Sequence, residues 1–134
     1  MGDRSMTTDL YMLAWAAAFT ALLWIPYILA RIATYGRAET ITYKADDKPL
    51  PAWAARAKRA HLNALENLAP FAALVLTAHL AGAASPITAM ASIVYFWARV
   101  AHYPAYISGL PVLRTLTYAV AWVAMMTIFY EIVT

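Results

Sequence analysis

Residues 10–30, which lie between Asp9 and Arg31, contain no Asp, Glu, Lys or Arg. A helix of about 20 apolar residues spans the hydrocarbon core of a bilayer, whereas the apolar core of a signal peptide is shorter. The residues before this run carry both charge signs instead of the basic cluster typical of a signal peptide. The run therefore predicts a retained membrane helix at about 8–31, with a slight bend at Pro26.

The composition of the chain supports lipid as its solvent. Of the 134 residues, 63% are apolar and 13% are charged, whereas typical soluble domains are about 45–50% apolar and about 25% charged. A chain this short has too little interior to bury so many apolar side chains away from water. A soluble globular domain, a disordered chain and a nucleic-acid-binding module are therefore excluded. Because the sequence has no cysteine, disulfides, iron–sulfur clusters, zinc-thiolate sites and a cysteine nucleophile are excluded as well.

Three further helices are predicted by apolar runs between turn-forming Gly, Ser and Pro residues, at about 52–82, 86–108 and 111–133. The first of the three is longer than a membrane requires, so its first turns are expected in water. Short turns join the last three helices, and short connections make consecutive helices antiparallel. The sequence thus predicts one all-α integral membrane domain over residues 1–134, folded as an antiparallel four-helix transmembrane bundle.

Basic residues are concentrated at one end of this predicted bundle. Arg4 alone lies at the other end, and the nine remaining Lys and Arg residues flank the first loop and the turn between the last two helices. The positive-inside rule places the basic end in the cytoplasm. Both termini are then expected on the opposite side of the membrane.

Three groups of polar residues fall in or beside the predicted spans. Ionisable groups in membrane segments are costly and usually mark a functional site or a paired contact. Within each group the spacing places members on one helix face or within one turn. The groups are Arg59, Asn63 and Glu66 on the second helix, Arg99, His102 and Tyr106 on the third, and Arg114, Thr115 and Tyr118 at the start of the fourth. All belong to the predicted cytoplasmic half, so we expect them to converge on one polar pocket.

The charges of this pocket indicate a class of ligand. Arginines bind carboxylates in bidentate fashion, Glu66 would accept an ammonium group, and Asn63 has both a donor and an acceptor for an amide. A compact anionic or zwitterionic ligand fits, and glutathione has this pattern, although the chemistry alone does not single it out. Two structural alternatives remain open, namely a buried ion pair between Glu66 and Arg99 and an interhelical hydrogen bond from Asn63. The three histidines lack metal-ligand spacing with carboxylates, so no metal site is predicted.

Two spaced motifs at these residues resemble the MAPEG family, the membrane-associated proteins of eicosanoid and glutathione metabolism. Residues 59–66, RAHLNALE, followed by Pro70 and Phe71, resemble the family signature R-A-H-x-N-x-x-E…P-F. Residues 99–118 resemble the matching region of the microsomal prostaglandin E synthase branch, with one residue fewer between Tyr106 and Arg114. The resemblance covers nearly the whole chain and is closest to the microsomal prostaglandin E synthase and microsomal glutathione transferase branch.

The resemblance implies a homotrimer of four-helix subunits that binds glutathione between neighbouring subunits on the cytoplasmic side. Arg114 would activate the thiol, and Thr115, where the prostaglandin branch has a serine, would donate a hydrogen bond to the sulfur. An adjacent subunit would contribute Arg31, with Arg37 as the second choice. The remaining glutathione contacts would come from Arg59, Asn63, Glu66, Arg99, His102, Tyr106 and Tyr118.

The function implied by the resemblance is a glutathione-dependent transferase or peroxidase that acts on a lipophilic electrophile entering from the bilayer lipids. Arg114 and the N-terminus of the fourth helix would stabilise the thiolate, which is the reactive form of a thiol. Asn67 stands where the leukotriene C synthase branch has tyrosine, so we do not assign the substrate of that branch to this chain. The alternative is a non-enzymatic membrane scaffold or binding protein with the same fold. A small four-helix exporter is disfavoured because residues 10–30 hold no carboxylate for proton coupling.

Overall fold

A computed structural model of the chain describes residues 5–134, which are mostly helical and contain no β-strand. The all-α prediction is confirmed for this range, and Arg4 lies outside the described residues. The helices are α1 (Thr8–Leu22), α2 (Ile25–Tyr35), α3 (Arg37–Ile41), α4 (Ala52–Leu80), α5 (Pro86–Ser108) and α6 (Pro111–Val133).

By length and composition, two helical segments of the described residues are apolar enough to cross a membrane. The first is the continuous stretch Thr8–Tyr35, which contains α1 and α2, and the second is α6. Polar side chains lower the hydropathy of α4 and α5, which carry the other two polar groups recognised in the sequence. The four-span arrangement therefore stays a prediction.

The helical stretch predicted at about 8–31 is interrupted for two residues, between α1 and α2, next to the bend predicted at Pro26. Pro26 has no N–H to donate to the Leu22 carbonyl. The Leu23 N–H donates to the Thr20 carbonyl at 3.2 Å, three residues back, and not to the carbonyl four residues back that a regular helix uses. This change in the backbone hydrogen bonds, from partners four residues apart to partners three residues apart, ends α1 at Leu22. The second part, α2, continues to Tyr35 and ends at Gly36, whose φ of 86° is readily adopted by glycine.

The segment between α2 and α4 folds back onto α2. Arg31 is buried, and its Nη1 donates to the carbonyl oxygens of Ala45 and Asp46. The Tyr35 hydroxyl donates to the Pro49 carbonyl at 2.5 Å. These hydrogen bonds give residues 42–50 a fixed path although they form no helix.

In the body of the fold, α5 is central and packs against α1, α4 and α6. The rings of Phe71 and Tyr95 stack with centroids 3.7 Å apart where α4 meets α5. Buried alanines surround them at several helix contacts, for example Ala78, Ala91 and Ala121. Small side chains allow helix backbones to approach closely, so this alanine-rich core holds the helices that carry the polar groups.

One end of the fold contains a buried polar contact that the sequence patterns did not indicate. The Asp9 side chain is 2% exposed and accepts a hydrogen bond of 2.7 Å from the Thr88 hydroxyl. Ser85 and Thr88 also form the N-terminal capping box of α5, and the Ser85 hydroxyl donates to Glu131 at 3.2 Å. The starts of α1 and α5 are thereby tied to the end of α6, so α6 runs opposite to both.

Candidate functional site

A polar pocket of about 320 Å3 lies between α4, α5 and α6, at the end of the fold opposite to Asp9. Each of the three polar groups recognised in the sequence contributes to it. Its lining residues are Asn63 from α4, His102 and Tyr106 from α5, and Arg114, Thr115 and Tyr118 from α6. Six of the ten residues predicted for the site therefore surround one cavity.

Arg99 stands behind Asn63 and joins α5 to α4. It is 5% exposed, and its Nη2 donates to Asn63 Oδ1 at 2.9 Å. The Nε and Nη1 atoms are buried and have no hydrogen-bond partner among residues 5–134. Buried donors are almost always paired in native proteins, so these two unpaired atoms distinguish Arg99 from an ordinary structural arginine.

The interhelical hydrogen bond of Asn63 is thus present, whereas the alternative Glu66–Arg99 ion pair is not formed within the chain. Glu66 is exposed, and the ion pair found in the described range joins Lys48 to Glu39. The Asn67 amide donates to the Asn63 carbonyl oxygen at 2.8 Å and supports that residue from the same helix. Asn63 is therefore fixed from two sides.

The imidazole of His102 is held by Thr117. The two side chains approach to 2.9 Å between Nδ1 and Oγ1, and the Thr117 hydroxyl also lies 2.9 Å from the Leu113 carbonyl oxygen. A hydroxyl has one proton. When Thr117 donates it to its own helix, His102 must donate from Nδ1, which leaves the buried and unpartnered Nε2 as an acceptor. The site then offers a nitrogen lone pair for a ligand N–H or S–H group.

The first turn of α6 brings a positive charge to the pocket. Arg114 and Thr115 are exposed, and the guanidinium of Arg114 lies 5.2 Å from the Tyr106 ring centroid, a cation–π distance. The Thr115 hydroxyl donates to the Pro111 carbonyl at 2.8 Å, so it must rotate before it can donate to a ligand. Arg114 has no carboxylate partner among the described residues, which leaves its charge available.

The sequence model of the MAPEG family matches residues 12–134, nearly the entire chain. The chain belongs to the MAPEG family. This family is membrane-associated and includes glutathione-dependent transferases and peroxidases as well as other members. No curated protein matches the sequence.

Four residues predicted for the site of this MAPEG protein do not line the pocket. Arg99 supports Asn63 from behind, as described above. Arg59 and Glu66 are exposed on α4, and the Arg31 guanidinium binds its own chain at residues 45 and 46. The predicted site lies between subunits and one chain is described, so the roles of Arg59, Glu66 and Arg31 stay predictions.

Two residues of the MAPEG chain that shape the pocket were not predicted. Thr117 holds His102, and Arg56 on α4 donates from Nε to the Ile107 carbonyl at 2.6 Å. Arg56 lies seven residues before Asn63, the same separation that joins Arg59 to Glu66. Helix periodicity could therefore have placed Arg56 on the same face of α4 as Asn63.

A larger apolar groove of about 620 Å3 runs between α5 and α6. Its walls include Met90 and Val94 on α5 and Leu116 and Val120 on α6. It shares no lining residue with the polar pocket. No group of three or more His, Cys, Asp or Glu side chains within residues 5–134 is arranged to hold a metal ion.

Proposed function

We propose that this MAPEG protein is a membrane-embedded enzyme that uses glutathione as co-substrate, a transferase or peroxidase acting on a lipophilic electrophile. The observation that carries this proposal is the position of Arg114. It is a cation without a carboxylate partner in the described range, at the start of α6 and beside a pocket with amide, imidazole and phenol groups. Such a pocket suits an anion that is held by polar contacts and reacts at one end.

Glutathione fits the donors and acceptors of this pocket. Its carboxylates match the exposed Arg59, and its ammonium group matches the exposed Glu66. Arg99 would act through Asn63, whose side chain it holds. Asn63 and His102 would contact the peptide groups, and the rings of Tyr106 and Tyr118 would pack against the ligand. In a trimer the neighbouring subunit would close the pocket. Arg37 is exposed, whereas Arg31 is occupied by its own loop, so Arg37 becomes the better candidate for that contact.

Arg114 would act by stabilising the thiolate, while the thiol proton passes to solvent. A cysteine-like thiol has a pKa of about 8.5, and lowering it to about 6.5 requires about 2.7 kcal/mol. The N-terminus of α6 contributes about 0.3–1 kcal/mol. A charge pair at about 4 Å contributes about 1 kcal/mol in water but about 4 kcal/mol at an effective dielectric constant of about 20. Exposed Arg114 therefore activates the thiol only when the electrophile or a neighbouring subunit excludes water.

The proposed setting is the one that the sequence predicts. Four spans would place the pocket on the cytoplasmic side, both termini would lie on the other side, and a lipophilic electrophile would enter laterally from the bilayer. The exposed faces of α1 and α6 are apolar, including Trp15, Trp122 and Phe129, as expected for helices in contact with lipid or another subunit.

The deciding experiment is glutathione binding to the detergent-purified protein together with the ultraviolet absorbance of the bound thiolate. Wild type is expected to show thiolate at neutral pH. Arg114→Ala is expected to lose the thiolate signal and turnover while the glutathione Kd changes little, and Arg114→Lys, which keeps a positive charge, is expected to retain part of both. Equal losses of turnover and affinity in Arg114→Ala would contradict the activating role.

A non-enzymatic binding protein or scaffold is the second candidate. It is favoured by the resting contacts of Thr115 and Arg114, which are with the Pro111 carbonyl and the Tyr106 ring. Glutathione binding without thiolate absorbance would support this candidate over the enzyme.

A further inference from the structure

Arg56 crosses from α4 to the turn between α5 and α6. Its Nε donates to the Ile107 carbonyl at 2.6 Å, and Ile107 is the penultimate residue of α5. The last four carbonyls of a helix have no partner within the helix, and a cation near them interacts favourably with the helix dipole. Arg56 therefore supplies the Ile107 carbonyl with a hydrogen-bond donor that α5 itself cannot supply.

The guanidinium of Arg56 also lies against the turn itself. Gly109 has a φ of +76°, and a Cβ at this position would be 3.5 Å from both Cζ and Nε of Arg56. The arginine thus contacts the backbone two residues before α6 begins at Pro111. The Arg114 N–H in turn bonds the Leu110 carbonyl at 3.1 Å. A short covalent path connects the turn held by Arg56 to the cation of the pocket.

The first turns of α6 contain no fully buried residue. The buried residues of α6 are Ala121, Ala124, Met125 and Ile128, which begin at the middle of the helix. The residues before Ala121 are exposed or half-buried. The position of the first turn therefore depends on polar contacts instead of core packing.

Two arginines connect α4 to α5 in opposite directions. Arg99 on α5 donates to Asn63 on α4, and Arg56 on α4 donates to Ile107 on α5. Along α5, the pocket residues His102 and Tyr106 lie between these two connections. Arg56 and Arg99 thus fix α4 relative to α5 at both ends of the pocket.

We propose that Arg56 is a positioning residue for thiol activation, because it fixes the α5–α6 turn and thereby places Arg114 over the bound thiol. The proposal rests on the proposed function. Arg56 does not line the pocket, so its loss should change the thiolate more than the affinity for glutathione. This split separates positioning from direct binding.

The test compares Arg56→Met with Arg56→Lys and with Lys58→Met in the full-length, detergent-purified protein. Lys58 is exposed and two residues away on α4, so Lys58→Met removes the same charge without touching the turn. Two readouts are used. The first is hydrogen exchange of the amides of residues 109, 110 and 112–114, since Pro111 has no N–H. The second is the pH profile of the bound thiolate together with the glutathione Kd.

Arg56→Met is expected to exchange these amides about tenfold faster than wild type, since it loses a hydrogen bond from a charged donor. It should also reduce the thiolate fraction at neutral pH about tenfold, with less than about a threefold change in Kd. Arg56→Lys should fall closer to wild type because it keeps a cation and a donor, and Lys58→Met should match wild type.

Unchanged exchange in Arg56→Met would refute the contact as a support of the turn. Faster exchange with an unchanged thiolate profile would refute the positioning role. Absence of glutathione binding by wild type would instead refute the proposed function, and it is recognised independently because the exchange measurement needs no ligand.

Discussion

Replacement of Asn63 by leucine should leave the buried guanidinium of Arg99 without a partner in the chain. Arg99 is 5% exposed, and its hydrogen bond within the described range is the one to Asn63 Oδ1. A hydrogen bond to a charged group contributes about 1.5–3 kcal/mol. We therefore expect Asn63→Leu to lower the free energy of unfolding by at least about 1.5 kcal/mol.

The double variant distinguishes this cause from simple damage to the core. Arg99→Met removes the charge and keeps an unbranched side chain, so Asn63→Leu with Arg99→Met replaces both polar partners by apolar groups. Such replacements are nearly neutral or stabilising. The double variant should therefore recover most of the stability that Asn63→Leu loses.

Equilibrium unfolding in detergent measures these differences, and a cycle of the two single variants and the double variant isolates the coupling. Asn67→Leu is the matched control, because Asn67 is the neighbouring amide on the same side of α4 but makes no hydrogen bond to Arg99. Its loss should not be recovered by Arg99→Met. The reasoning is refuted if Asn63→Leu costs less than about 0.5 kcal/mol, or if the double variant is as unstable as Asn63→Leu alone.

Three further predictions concern other parts of the fold. Gly109→Ala should destabilise the protein by about 1–2 kcal/mol in the same unfolding assay, because its positive φ is unfavourable for a residue with a Cβ. Thr88→Val should leave the buried Asp9 carboxylate without its donor and cost about 1–3 kcal/mol; combining it with Asp9→Leu should remove most of that loss. The Lys48 ammonium, by its hydrogen bond and charge, lowers the pKa of Glu39. The contact should therefore persist above the ordinary carboxyl pKa and be lost as pH falls through the lowered value, which should speed acid-protease cleavage of the first loop. In Glu39→Gln, cleavage should follow only the pH dependence of the protease itself, measured on an unfolded substrate.

The sequence predicts the pocket well where spacing within one helix determines the face. His102 and Tyr106 are four residues apart on α5, and Arg114 and Tyr118 are four apart on α6, so each pair must project from one side of its helix. Pro86 and Pro111 mark helix starts, and Gly109 marks a helix end. Each of these residues restricts or frees only its own backbone and that of its immediate neighbours. Such features require no knowledge of the neighbouring helices.

Spacing does not determine how a helix is rotated against its neighbours. Arg59 and Glu66 share a face with each other, yet both are exposed, while Asn63 between them reaches the pocket. The rotation of α4 is fixed by tertiary packing of its buried alanines and Phe71. The same limit applies to Arg31, which binds carbonyls 14 and 15 residues away in a loop without a regular pattern.

The break before Pro26 shows a third limit. A proline near the end of an apolar run predicts a bend, but the size of the bend depends on whether other groups satisfy the released backbone. Here the Leu23 N–H takes the Thr20 carbonyl, and the Leu23 carbonyl accepts a hydrogen bond of 3.3 Å from the Tyr103 hydroxyl of α5. That second contact joins residues 80 positions apart in the sequence, so no local sequence pattern predicts it.

The hydrogen bond from Arg99 to Asn63 also bears on how the chain is made. An arginine in the middle of a span raises the free energy of membrane insertion by about 2.5–3.5 kcal/mol. During synthesis of the proposed four-span protein, α4 leaves the ribosome before α5, so Asn63 is already in place when Arg99 arrives. The order of the helices along the chain thus supplies a hydrogen-bond partner for the arginine of α5 before that arginine enters the membrane. A circularly permuted gene that begins at α5 would have to insert Arg99 before Asn63 exists.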